Sequence, residues 1–197
     1  VVARSLLGCW VVTDRLEGTV ALRLTEVEAY SGSGIDPAAH SHRGPTPRAA
    51  IMFGPPGRLY VYFSYGVHWC ANVVVGRHGD GEAVLLRAGE IVVGEELARS
   101  RRPSARTPRD LAGGPARLTQ ALALGPDDLG TDLLDPASPV RLHRGPPPAA
   151  ISAGPRVGIS LATDLPWRFW ETAAASVSVF RPGGKPRRRG AGQDGVP

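Results

Sequence analysis

Residue types that could do chemistry gather in two stretches of the chain. In "LTEVEAYSG" (24–32), Glu26, Glu28 and Tyr30 recur at a spacing of two. In "LYVYFSYGVHWCANV" (59–73), three of the chain's four tyrosines, Tyr60, Tyr62 and Tyr65, fall within six residues. His68, Cys70 and Asn72 follow them. A carboxylate held near a substrate can take a proton from water, and aromatic rings give flat apolar faces with a polar handle. A period of two is the period of a strand. The even positions Val20, Leu22, Leu24, Glu26, Glu28 and Tyr30 therefore read as one face that begins apolar and turns acidic, which suggests a carboxylate at the mouth of a pocket. The alternative is a strand leaving the core with both carboxylates in solvent, and periodicity alone does not choose between them. A carboxyl pair also raises glycoside hydrolysis, but that chemistry needs the two groups across a substrate, and residues two apart on one strand lie side by side.

The tyrosine stretch predicts a hairpin. Gly66 suits the left-handed position of a three-residue loop Ser64-Tyr65-Gly66, pairing Phe63 with Val67 and Tyr62 with His68. One face is then Leu59, Val61, Phe63, Val67, Trp69, Ala71 and Val73, a complete apolar set without any tyrosine. Tyr60 and Tyr62 fall on the other face with His68, Cys70 and Asn72, and Tyr65 is left at the tip. "PAAHSHRG" adds His40 and His42, with His68 and His78 further on. No third ligand stands at a metal-binding spacing, so no metal is expected; a pocket histidine is a better use of one of them than a metal, and a surface histidine in a loop is the commoner case still.

The elements needed to hold these groups follow from the same pattern. Residues 1–8 read as a helix end stopped by Gly8. "CWVVT" and "TVALRLTEVEAY" read as strands joined by the turn "RLEG", and residues 31–57 as a long loop rich in Gly and Pro. "EAVLLRAGEIVV" reads as a strand leading into a helix over "GEELARSR", and "GGPARLTQALAL" as a helix with Pro115 at its first position. "AGPRVGISLAT" and "PWRFW…ASVSVF" read as late strands, and 182–197 as a basic tail with a disordered composition.

With 197 residues, 42% hydrophobic and 21% charged, one globular domain is expected. No apolar run reaches the roughly 18 residues of a membrane span, and no signal peptide or internal repeat is expected. Cys9 and Cys70 match no zinc or disulfide framework, which suits a reducing compartment. The net charge of +5 comes from 22 Arg and one Lys, Lys185. A GC-rich genome explains most of that Arg/Lys ratio. The basic sign itself, concentrated in "RSRRPSARTPR" (99–109), is compatible with a phosphate backbone as partner.

The motifs "TEVEAY", "AAHS", "TPR..IMFGPPGRLYVYFSYG", "HWCANV", "AVLLRA", "GPARLTQAL" and "PRVGIS" occur in order between about residues 4 and 181, and the chain resembles the alkyladenine (3-methyladenine) DNA glycosylases. The resemblance implies an α+β fold, one mixed domain (1–181) around a curved antiparallel sheet with a protruding hairpin. It implies that Glu28 activates a water, with Arg87 a second contact to that water and Val157 a backbone contact there. Tyr30, His40 and Tyr62 would sandwich a flipped base, Asn72 would disfavour guanine at the pocket floor, and Tyr65 would be the wedge inserted into the duplex. The implied activity is monofunctional hydrolysis of the N-glycosidic bond of alkylated or deaminated purines, starting base excision repair. No cofactor is expected. The expected partner is damaged double-stranded DNA, with no membrane, and the expected form is a monomer in the cytoplasm, nucleoid-associated in a bacterium or nuclear in a eukaryote. Two features depart from the family pattern: Ala49 stands where the family usually has Asn, and the Arg-rich loop and the tail are not matched closely. Two other classes remain to be weighed. A non-catalytic nucleic-acid-binding domain would not need Glu28 or Arg87, and a small-nucleoside hydrolase would not need an exposed Tyr65.

Overall fold

The computed structural model describes residues 2–64 and 66–184. Among these residues eight strands form one antiparallel, curled sheet: β1 (Trp10–Arg15), β2 (Gly18–Tyr30), β3 (Leu59–Ser64), β4 (His68–Val75), β5 (Glu82–Val93), β6 (Val140–His143), β7 (Ile151–Gly154) and β8 (Arg168–Glu171). The main order is β3-β4-β5-β2-β1-β6, while β8 pairs with both β2 and β7. Among the described residues four short helices accompany the sheet: α1 (Val2–Leu6), α2 (Glu95–Arg101), α3 (Pro108–Ala112) and α4 (Pro115–Ala121). No helix among the described residues is long and apolar enough to cross a membrane.

The long strand β2 organises the molecule. One edge pairs with β5 along almost its whole length. The other edge pairs first with β1 and then, at residues 26–28, with β8. The pairing with β5 runs Leu24 to Gly89, Glu26 to Ala88 and Val27 to Leu86, so Thr25 on β2 and Arg87 on β5 are extra residues without partners in the register. Such bulges re-aim side chains. Before this one, the even residues Val20, Leu22 and Leu24 enter the main core; after it, Val27 does. On β5 the core residues are Val84 and Leu86 before the bulge, with Ile91 packed against the core beyond it. The expectation of a single β2 face that turns from apolar to acidic is therefore corrected. The strand changes faces at Thr25, and Glu26, Glu28 and Tyr30 turn away from the side that holds Val27.

The main core lies between the sheet and the helices, with Ala98, Ala112, Leu118, Ala121 and Leu122 packed under β2, β4 and β5. Each fully buried Leu there is worth ~1.5–3 kcal/mol. A second, smaller cluster sits on the opposite side of the sheet: Ala49, Met52, Tyr60, Val74 and Ala83, with Tyr62 against it. A 3₁₀ turn, Ala50–Phe53, brings the loop residues of this cluster onto the sheet.

The hairpin of β3 and β4 forms with its faces as expected but in a different register. Tyr62 faces Cys70, Phe63 faces Trp69 and Ser64 faces His68, so residues 65–67 connect the strands. The slide by two residues leaves the faces unchanged because two is the side-chain period. Gly66 does take a left-handed φ of 68°. Only residues 72–75 of β4 pair with β5, so the tip half of the hairpin protrudes beyond the sheet. Tyr60 is 2% exposed and part of the second core, with its hydroxyl reaching His40 at the edge of that cluster.

Other expectations need adjusting. Residues 155–161 do not extend β7 and residues 176–180 form no strand, while α3 and β6 are additional elements. The tail from Lys185 onward and Tyr65 itself lie outside the described residues.

Candidate active site

A cleft of about 530 Å³ opens on the second-core side of the sheet, a size usual for small-molecule sites. Tyr30 from β2, Tyr62 from β3, Cys70 and Asn72 from β4 and Arg87 from β5 line it. His40 from the 31–57 loop and Val157 from the loop after β7 complete the wall.

Glu28 is fully buried one layer behind this wall, and the groups that touch it form the wall. The Val157 N–H donates to Oε1 at 2.7 Å. The Tyr30 hydroxyl donates to Oε2 at 3.0 Å, and Arg87 Nη1 lies 3.3 Å from the same oxygen. Burial raises the Glu28 pKa above the ordinary carboxylate value, against the opposing pull of Arg87 and the Val157 N–H. Glu26 behaves in the opposite way. Burial pushes it up, but the charges of Arg87 and Arg168 and the Ser178 N–H outweigh burial and hold it below the ordinary value. Its Oε1 accepts from Arg87 Nε at 2.8 Å, Arg168 Nε at 2.7 Å and Ser178 Oγ at 2.8 Å, and its Oε2 accepts from Ser178 N at 2.6 Å. Both carboxylates are 0% exposed, so the solvated-strand alternative is excluded.

The rings are arranged in two groups. His40 and Tyr62 meet edge to face, with centroids 4.6 Å apart at 82°. His40 Nδ1 and the Tyr60 hydroxyl are hydrogen-bonded at 2.9 Å. Burial lowers the His40 pKa to about 4, helped by nearby Arg48, so the imidazole is neutral at physiological pH. Tyr30 lines the same cleft without making a ring contact to His40 or Tyr62 among the described residues. Its ring is instead backed by the guanidinium of Arg156, 4.6 Å from the centroid. Asn72 is fixed at the cleft by its amide nitrogen, which donates to the Tyr60 carbonyl at 3.2 Å.

All the described residues singled out in the sequence for catalysis or base binding thus surround one cleft. Several that matter were not singled out. Arg156 and Asp36 form an ion pair, both side chains 0% exposed, with contacts of 2.5 and 2.9 Å. Asp36 belongs to the loop that carries His40, while Arg156 precedes Val157 and supports Tyr30, so one pair ties three parts of the site together. Breaking such a pair costs ~3–5 kcal/mol. Arg156 was legible only as the neighbour of Val157 in "PRVG", and Arg168 only as a charge among the aromatics of "PWRFW". Arg48 stands at the cleft with its guanidinium 5.1 Å from the Tyr62 centroid.

Ala49 is buried in the second core, and its N–H is bonded to both the carbonyl and the hydroxyl of Thr46, which hold this part of the loop. The Arg-rich loop is largely engaged with the protein itself. Arg99 pairs with Glu95, Arg101 donates to the Ala121 carbonyl, and Arg102 donates to Gln120 and the Asp110 carbonyl. Among the described residues no cluster of His, Cys, Asp and Glu could hold a metal ion.

Fold and cleft define a single-domain enzyme whose sheet presents a ring-lined slot ending at a buried carboxylate. A family model described as Methylpurine-DNA glycosylase (MPG) matches residues 1–175. A Nocardia farcinica protein named "Putative 3-methyladenine DNA glycosylase" is 54% identical over 185 residues, covering 91% of this chain and 85% of the relative. Proteins of the same name from Frankia casuarinae and Leifsonia xyli are 52% and 51% identical, covering 94% and 91% of this chain and 90% and 87% of their own. The chain belongs to the methylpurine-DNA glycosylase family and is thus a DNA glycosylase, a hydrolase of N-glycosyl bonds.

Proposed function

We propose that the protein acts as a monomer on damaged duplex DNA, flips an alkylated or deaminated purine into the cleft and hydrolyses its N-glycosidic bond with a water activated by Glu28. The observation that carries this reading is the placement of Glu28. Of the two buried glutamates it is the one in which burial outweighs its partners and raises the pKa, and it touches three groups of the cleft wall. Pairs of carboxylates pushed apart in pKa mark a division of roles. Glu26 is the permanent anion that holds Arg87, and Glu28 is the base. Arg87 and the Val157 N–H steady the Glu28 carboxylate and the water beside it.

The flipped base stacks among Tyr30, His40 and Tyr62. Flipping costs a few kcal/mol of lost stacking, and each aromatic stack returns ~1–3 kcal/mol. A base alkylated at a ring nitrogen is cationic and gains ~0.5–2 kcal/mol more over an electron-rich ring. The same charge makes it a good leaving group, so one base and no strong acid suffice. Neutral His40 adds no repelling charge to such a base. Tyr65, in the hairpin turn by sequence, is the proposed wedge that fills the vacated space, and Asn72 is the proposed barrier to guanine.

The test is Glu28→Gln under single-turnover conditions on alkylated duplex DNA. Gln keeps the shape but cannot take a proton, so release of 3-methyladenine should stop while affinity for the damaged duplex stays near that of the wild type. Substantial residual excision would move the base assignment to another group.

A further inference from the structure

We infer that residues 176–184 are a working part of the active site, with Ser178 a positioning residue that sets Arg87 against Glu28. This rests on the role proposed above for Glu28. The family match ends at residue 175, yet the segment that follows docks on both bulged residues at the heart of the sheet. Ser176, 2% exposed, is hydrogen-bonded to Thr25 at 2.8 Å. Ser178 meets Arg87: its hydroxyl accepts from Arg87 Nη2 at 3.1 Å and donates to Glu26 Oε1 at 2.8 Å. Its N–H donates to Glu26 Oε2 at 2.6 Å, and its carbonyl accepts from Arg168 Nη2 at 2.7 Å. Every polar group of this one serine is therefore committed to the network behind the catalytic pair.

The consequence for Arg87 is geometric. Its Nε is held by Glu26 and its Nη2 by Ser178, which leaves Nη1 turned to Glu28. A planar guanidinium fixed at two nitrogens has no freedom at the third. The same segment grips the other side of Glu28. The Gly158 N–H donates to the Arg181 carbonyl at 2.9 Å, next to the Val157 N–H that binds Glu28. Gly183 packs so closely on this loop that a Cβ there would lie 2.0 Å from the Ile159 carbonyl oxygen. One short stretch of chain thus steadies both the cation and the N–H that face Glu28.

The distinguishing readout is the pH profile. The groups around Glu28 are Arg87 from β5, Tyr30 and Glu26 from β2, Cys70 from β4, Arg168 from β8 and the Val157 N–H. Among these, Arg87, Tyr30 and Val157 favour the ionised form. If Arg87 or the Val157 loop drifts away, Glu28 becomes harder to ionise, and the acid limb of the excision rate moves to higher pH. In Ser178→Ala, single-turnover excision should slow roughly 10- to 100-fold, the scale of a small misplacement of a catalytic group. Affinity for damaged duplex should be unchanged, the acid limb should move to higher pH, and Ser178→Thr should restore most of the rate. Gly183→Ala should move the limb in the same direction through Val157. A Ser178→Ala enzyme that matches the wild type, or one that is slower with an unmoved limb, would overturn the inference. Glu28→Gln in the same assay separates the two failures. Normal excision by E28Q removes the base assignment and this inference with it, whereas an inactive E28Q beside an unaffected S178A removes only the inference.

Discussion

Glu26 and Glu28 are the same residue type on the same strand, both fully buried, and their surroundings drive them apart. Four donors converge on Glu26, two of them cationic, so its ionised form is fully compensated. Glu28 shares one of those cations at a longer distance and otherwise meets a hydroxyl and a backbone N–H, so burial prevails. Asn72 carries the residue-scale prediction. Its amide is tied to the Tyr60 carbonyl in the second core, so it is a fixed part of the wall and cannot swing aside for a larger base. Guanine differs from hypoxanthine by a 2-amino group, and rejecting one misplaced group is worth ~1–3 kcal/mol. Asn72→Ala should therefore raise excision of guanine-derived bases relative to hypoxanthine by about tenfold, the equivalent of ~1.4 kcal/mol. An unchanged ratio in competition assays would leave Asn72 with a supporting role only. Glu28, Tyr30, Tyr62 and Asn72 stood out because they fall at strand spacing, the hairpin pair beside an apolar set already complete, whereas Arg87, Val157, the choice of the loop residue His40 and the role of each came from the family resemblance. Asp36, Arg156 and Ser178 did not stand out, because Asp36 and Arg156 stand 120 residues apart and Ser178 and Arg87 stand 91 apart, and nothing local marks a long-range pair.

The paired bulges between β2 and β5 turn sequence spacing into active-site geometry. Without the extra residue at Thr25, Glu26 and Glu28 would follow Leu24 into the main core, where no cations wait for them. Period-two reading located the strand but could not see the change of face, since a bulge leaves no fixed mark in residue type. The hairpin shows the complementary case: its register slid by two and its faces survived, so the ring assignments did not depend on the loop. β6 was missed because four residues set between proline-rich stretches carry too little pattern. The segments 155–161 and 176–180 read as strands because they alternate, yet their backbones turn aside to reach Glu28 and Glu26. The tight join of the central strands can be tested at Gly89, two residues beyond Arg87. A Cβ there would fall 2.3 Å from Leu22 Cδ2 and 2.5 Å from the Arg23 carbonyl oxygen, and the second contact is backbone that cannot rotate away. Gly89→Ala should cost ~1–3 kcal/mol, the usual range for overpacking, read as a Tm several degrees lower in thermal denaturation. An unchanged Tm would mean that β2 and β5 are free to separate at the bulge, and the rigid placement of Arg87 would lose its basis.

At the scale of the whole molecule, the sheet divides the chain into a supporting side and a reacting side, and the composition limits what the reacting side can do. Glycosylases that also cut the strand attack the sugar with an amine and pass through a Schiff base. Such an amine has to be held near the sugar carbon, partly buried so that it is not fully protonated. The chain has a single lysine, Lys185, in the Gly-, Pro- and Arg-rich stretch outside the described residues. The described cleft wall offers rings, hydroxyls, a thiol, the Asn72 amide and guanidinium groups but no amine, and the Glu28 carboxylate lies just behind it. Arginine cannot take that part, because its guanidinium keeps its proton and presents no lone pair. The expectation is therefore that water is the nucleophile and that the product is an intact strand with an abasic site. Borohydride added during turnover should trap no covalent adduct between protein and DNA, and strand cleavage should appear only after alkali. An adduct that forms in the wild type and disappears in Lys185→Ala would replace the hydrolytic mechanism with an amine-based one and would bring the C-terminal stretch to the reacting sugar.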